Sequence, residues 1–290
     1  MKKIFALVAL LIVSALILTA CGDAKFDTSK NITILTREDK SGTKTAFMEL
    51  IGLKGKPDPA NVIMQTGTAA ILTEVKNNPA AIAYESLGYV TNDVKKLKVG
   101  GVEATVANIK SGTYKISRPL SIVYKESTLG NDVNKAFFTF LQSNDAQKII
   151  NDEGYVSVVD NAPAYIMDGL LSGSIDISGS TSLQPLMDVL AAEFEKLHSN
   201  KIKITVAGGG SGTGYKNAEQ DVSDFGMISA DFDGVKNEAP SCTYYIVAKD
   251  GIAVIVHKDN PLDNISLEQL KNIYDEESTA VAKWNELIKE

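Results

Sequence analysis

Three strand-like runs in this chain stop at clusters of glycine and small hydroxyl residues, and a helix-like pattern follows each. The clusters are Arg37-Glu38-Asp39-Lys40-Ser41-Gly42-Thr43, Gly179-Ser180-Thr181-Ser182 and Gly208-Gly209-Gly210-Ser211-Gly212-Thr213-Gly214. Repeated passage from strand through a tight turn into helix commits a chain to α/β layers with largely parallel sheets. It also fixes where a ligand can sit, at the carboxyl ends of the strands. There each helix N-terminus leaves backbone N–H groups unpaired and carries partial positive charge. Hydroxyls add donors, and glycine removes the Cβ that would hold a ligand away. One such cluster is explained by capping and turn formation alone. Three of them, with one arginine, describe a cage for a small oxyanion.

Arg37 follows the strand Ile32–Thr36, and Asp39 lies two residues on, where it is expected to orient the guanidinium. Arginine presents a fixed fork of donors suited to phosphate or sulfate. A surface Arg–Asp pair alone would be worth little, but Ser41-Gly42-Thr43 follows at once and favours a binding role.

Other chemistries fit poorly. In the run 208–214, Thr213 stands where G-x-G-x-x-G requires glycine, and Tyr215 separates Gly214 from Lys216, which breaks a P-loop. His198 and His257 lie in no metal-ligand spacing and are expected at the surface or a hinge. No serine has a base and acid set that would make it a nucleophile. No basic tract interleaved with aromatics suggests nucleic acid, and no metal or cofactor is implied.

The compartment is written at the start. Lys2 and Lys3 precede an apolar run from Ile4 to Leu18, a secretory signal pattern too short to span a bilayer. Leu18-Thr19-Ala20-Cys21 resembles a bacterial lipobox, which implies cleavage after residue 20 and acylation of Cys21. Residues 21–30 then read as a tether. The mature chain carries 27 basic against 36 acidic side chains, a net charge of −9. That does not forbid anion binding, since local donors outweigh charge several Debye lengths away. Cys242 is the only thiol left and is expected to be buried and inert.

Periodicity predicts strands at 32–36, 62–64, 80–84, 119–124, 155–159, 175–177, 202–206, 224–229, 244–247 and 252–257. It predicts helices at 69–75, over the whole of 131–151, at 183–197 and at 267–274, with another after the first cluster.

At the three clusters the chain resembles the phosphate-binding lipoproteins of bacterial ABC transporters, within the type II periplasmic-binding-protein fold. Ile177 to Pro185 looks like the family's first phosphate loop, Val206 to Gly214 like its second, and Arg37 to Thr43 like its R-x-D-x-S-G-T loop. Ala81 to Tyr89 and Ile116 to Leu120 add to the match. The resemblance implies a two-lobed α/β fold, mostly parallel sheets flanked by helices, with a ligand cleft between the lobes. It implies phosphate ligands Arg37, Ser41, Gly42, Thr43, Ser180, Thr181, Ser182, Ser211 and Ser229, with Asp39 orienting Arg37. Some relatives place an Asp where this chain has Ser229. That Asp accepts a proton that hydrogen phosphate has and sulfate lacks.

The order is unusual for the family: segments that normally come first, 175–290, here follow those that normally come second, 31–159. The chain therefore reads as circularly permuted, the usual termini joined through 160–174. One lobe is expected to be continuous, residues 119–255. The other is split, residues 30–118 plus 256–290, with hinge crossings near 116–120 and 253–258. Permutation of this kind is tolerated where ends lie close at an exposed tip.

These readings converge on a monomeric, lipid-anchored protein at the outer face of the cell membrane. It captures inorganic phosphate for an ABC permease and performs no chemistry on it. The alternatives are a binder of sulfate, molybdate or another oxyanion, a phosphate-ester hydrolase, or a surface sensor or adhesin without transport.

Overall fold

The computed structural model describes residues 26–167, 169, 171–278 and 282–288. The signal segment and Cys21 lie outside the described residues. In chain order the elements are β1 (Thr33–Arg37), α1 (Gly42–Leu50), β2 (Ile63–Gln65), α2 (Thr68–Asn77), β3 (Ala81–Ser86), β4 (Lys95–Lys96), β5 (Lys98–Val99), α3 (Val106–Lys110) and β6 (Ser117–Lys125). There follow α4 (Asp132–Leu141), α5 (Asn144–Asp152), β7 (Gly173–Gly179), α6 (Gln184–Leu197), β8 (Ile202–Gly208), α7 (Ser211–Glu219) and β9 (Phe225–Ile228). The last are β10 (Cys242–Val256), β11 (Asn264–Ile265), α8 (Leu267–Tyr274) and α9 (Trp284–Leu287).

The main sheet runs β2-β1-β3-β10-β6-β9-β7-β8, with β4 also paired to β10. Its wings are parallel: β1 pairs with β2 and β3, and β7 with β8 and β9. Its middle is antiparallel, because β10 pairs with β3, β4 and β6, and β6 with β9. The sheet is thus mixed, not mostly parallel. Helix crossovers generate the wings, whereas β6 and β10 are long strands that run between them.

Two apolar clusters flank that middle. Leu35, Phe47, Ile82, Tyr84, Ile116, Val254, Tyr274 and Trp284 belong to one. Leu120, Phe137, Phe140, Ile177, Leu186, Phe194, Phe225 and Val247 belong to the other. β10 passes from the second cluster at Ala248 to the first at Ile252. Residues 252–255, expected with 119–251, therefore pack with the opposite cluster, and the second crossing falls before 253. The cause is pairing: Ile252 to Val256 lie in register with Ser86 to Ile82 of β3.

Three further expectations change. The single helix over 131–151 is two, because Ser143 caps α5 through its Oγ, which accepts from Ala146 N. Residues 155–159 form no strand beyond the bridge of Val156 to Lys249, since Gln147 Oε1 takes the N–H groups of Val158 and Val159. Residues 244–247 and 252–256 are one strand with a register shift at Val247, and His257 lies beyond it.

His198 is buried, not at the surface, against Phe194 and 3.0 Å from the Tyr165 hydroxyl. Cys242 is buried, and burial pushes its thiol up to about 11, which leaves it an inert thiol at neutral pH. Near the two ends of the described chain, Ile32 N donates to Ala282 O at 2.9 Å and Asn285 N to Thr28 O at 2.8 Å. The Phe26 ring meets fully buried Trp284 edge-on.

Candidate functional site

Every strand-to-helix turn named in the sequence arrives at one seam between the two clusters. β1 ends on Arg37, and Ser41 caps α1, its Oγ accepting from Lys44 N. β7 ends on Gly179, whose φ of 134° suits glycine and whose Cβ, if it had one, would stand 2.3 Å from Met227 O. The turn that follows is folded on Ser180, whose Oγ accepts from both Ser182 N and Leu183 N at 3.3 Å. After β8, Gly210 takes φ 82° and α7 starts at Ser211 without a side-chain cap. Ser229 follows β9 directly.

Contacts across the seam are short and polar. Arg37 Nη2 donates to Thr181 Oγ1 at 3.0 Å, and the Thr43 and Ser182 hydroxyls are 2.8 Å apart. Gly212 N donates to Lys40 O at 3.1 Å. Ser229 N donates to Ser211 Oγ at 2.9 Å, and the two hydroxyls are 3.3 Å apart. Gly42 packs on this pair so tightly that a Cβ would lie 2.2 Å from Ser211 Oγ. Arg37, Ser41, Thr43, Ser180, Ser182, Ser211 and Ser229 are all buried. Thr181 is half-buried and borders an open groove of about 640 Å³ with Glu38, Thr66, Gly67 and Gly208.

Arg37 is held differently from the expectation. Asp39 does not orient it. That carboxylate is 91% exposed and takes Lys44 Nζ at 2.7 Å, because the turn into α1 carries it outward. The orienting groups are Glu38 and Glu85. Glu38 accepts from Nε at 3.0 Å and Nη2 at 3.1 Å, and Glu85 accepts from Nη1 at 3.0 and 3.2 Å. Thr68 Oγ1 takes a further Nη1 contact at 3.3 Å. Burial opposes the Arg37 charge, but Glu85 and Glu38 outweigh it and raise the guanidinium above its ordinary range. Burial also works against the Glu38 carboxylate, yet Arg37 and the Gly67 N–H hold it below the usual range.

Glu38, Glu85 and Thr68 are thus site residues that the motifs missed. A signal existed for two of them. Glu85 lies one residue before the end of the buried strand β3, where a carboxylate requires a cation or a dense set of donors. Thr66-Gly67-Thr68 is a fourth hydroxyl and glycine turn from strand to helix, with Gly67 at φ 79°. Asp231, close to Ser229 in sequence, caps its own turn through Asp233 N and is exposed.

Converging helix starts, hydroxyls that can donate or accept, and one fixed guanidinium suit a small tetrahedral oxyanion. The PBP superfamily domain matches residues 23–145 and 168–290, and the chain belongs to that superfamily. Phosphate-binding protein PstS 2 of Streptococcus agalactiae serotype V is 36% identical over 302 residues, all of both chains. The crystal structure of a phosphate-binding protein of a phosphate ABC transporter from Streptococcus pneumoniae TIGR4 is 29% identical. It superposes with a TM-score of 0.70 over 89% of this chain and all of that one. The phosphate-binding protein PstS of Bacillus subtilis is 32% identical, but only over 45% of this chain and 43% of its own length.

Proposed function

We propose that this chain is an extracytoplasmic solute-binding protein that captures inorganic phosphate and passes it to the permease of an ABC importer. It is a carrier and not an enzyme, in keeping with its end-to-end likeness to phosphate-binding proteins. The observation that carries the reading is the meeting of Arg37 with Thr181, and of Thr43 with Ser182, across the seam. A ligand enclosed there touches both halves of the molecule, which is how binding energy drives lobe closure. The lobes are residues 30–118 with 252–290, and 119–251. The Cys21 acyl chain and the tether hold the monomer at the membrane.

We read the segment order as a circular permutation. End-to-end matches to the streptococcal proteins beside a half-length match to the Bacillus subtilis protein are in keeping with that reading.

The test is calorimetric titration of the mature chain with phosphate, sulfate and molybdate. Phosphate is expected to bind, and Ser211→Ala to weaken it at least about tenfold, since hydrogen bonds to charged groups are worth about 1.5–3 kcal/mol. Equal affinity in wild type and variant would remove this site. Sulfate is the second reading, because the family resemblance implies an Asp, in some relatives, where this chain has Ser229, and with it a proton acceptor that favours hydrogen phosphate. Sulfate displacing preloaded phosphate at neutral pH would favour it.

A further inference from the structure

Outside the anion site, one buried ion pair sits where the two clusters join. Arg118 of β6 and Asp250 of β10 face each other in register, and each side chain is 1% exposed. Arg118 Nη2 and Nε lie 3.1 and 3.4 Å from the same carboxylate oxygen, Oδ2. On either side, Ile116 and Ile252 pack in one cluster, Leu120 and Ala248 in the other. Burial pushes the Asp250 carboxyl up, with the Arg118 charge the chief force drawing it down. Removing two charges from water costs as much as their attraction returns, so stability alone is a weak reason for such a pair.

The remaining donor supplies a better reason. Arg118 Nη1 donates to Ser229 O at 3.1 Å. The Ser229 N–H is already committed to Ser211 Oγ, so both of its main-chain polar groups are fixed. The other turn on that side is pinned in the same manner. Tyr155 lies so close over Gly88 that a Cβ there would meet its Cζ at 2.3 Å, and its hydroxyl donates to Ser182 O at 3.4 Å.

We propose that Arg118 is a positioning residue for the anion site: anchored by Asp250, it fixes the Ser229 main chain and aims the Ser211–Ser229 hydroxyl pair at Gly42. The assignment rests on the reading of the seam as an anion site. An arginine is required because two edges of its fork serve two acceptors at once; a lysine ammonium cannot hold that direction.

The experiment compares wild type, Arg118→Lys, Arg118→Met and the double variant Arg118→Met with Asp250→Leu, each as the mature chain. Phosphate affinity, melting temperature and Ser229 amide exchange are measured in all four. Arg118→Met is expected to lose at least about tenfold in affinity, as for a lost charge-assisted hydrogen bond. Arg118→Lys should recover part of it. The double variant leaves no stranded charge, so its melting temperature returns toward wild type while affinity stays low and Ser229 exchange stays fast. A double variant that regains wild-type affinity, or unchanged Ser229 exchange in Arg118→Met, overturns the proposal by reducing the pair to a structural one. Wild type that binds no phosphate while Ser229 exchange rises in both Met variants counts against the anion reading and leaves the positioning of Ser229 supported.

Discussion

On one side of the seam Arg37 carries full charge, and its donors are committed to Glu38, Glu85, Thr68 and Thr181. On the other, Ser180, Ser182, Ser211 and Ser229 are neutral, buried and bonded to one another, to backbone or to Thr43. The arginine side is rigid because charges in low dielectric tolerate no slack. The hydroxyl side is adaptable, since a hydroxyl can rotate between donating and accepting. With two carboxylates on one guanidinium the arginine side has no surplus positive charge. Attraction for an anion must then come from helix starts and hydroxyls, and Arg37 contributes direction.

The strongest break in that comparison is Arg37→Ala. It leaves Glu85, itself fully buried, without its cation. Loss of one partner of a buried pair costs about 3–5 kcal/mol, so chemical denaturation should show a markedly lowered midpoint along with lost binding. Adding Glu85→Leu should restore most of the stability and none of the affinity. A single variant as stable as wild type would mean that Glu85 finds other donors.

Gly42→Ala attacks the contact between the sides. The new methyl would stand 2.2 Å from Ser211 Oγ and 2.7 Å from Ser229 Oγ, so a turn must yield. Overpacking costs about 1–3 kcal/mol, here borne by closure of the seam and not by either core. Affinity should fall roughly tenfold or more while the midpoint moves little. A drop in both by the same free energy would place the strain inside a core.

The α/β class, the strand-to-helix turns and the seam residues Arg37, Thr43, Ser182 and Ser211 were legible because each leaves a local mark, a hydroxyl or glycine at a strand end. What holds Arg37 was not legible from its own neighbourhood. Glu85 lies 48 positions away and reaches it only because β3 pairs with β1. Likewise, which cluster claims 252–255 depends on pairing with β3, and no property of the segment itself decides it. Ser143 starts α5 as its N-cap, a break that periodicity hides, since Phe137, Leu141 and Ile149 keep the helical spacing across it.

Asp39 gives the smallest expected effect and the finest test of the comparison. Spacing within R-x-D assigns it to Arg37, whereas the fold turns it out to Lys44. Lys44 also holds Asp58 at 2.6 Å, so it keeps a partner when Asp39 is neutralised. An exposed ion pair of this kind is worth about 0–1 kcal/mol. Asp39→Asn should therefore shift the denaturation midpoint hardly at all and leave phosphate affinity within about twofold. Glu38→Gln, at the adjacent position, removes one of the two carboxylates on Arg37 and frees positive charge at the seam, so the salt dependence of phosphate binding should steepen. If instead Asp39→Asn is the damaging change and Glu38→Gln the silent one, the arginine turns toward Asp39 when it meets its ligand. The rigidity assigned to its side of the seam would then be wrong.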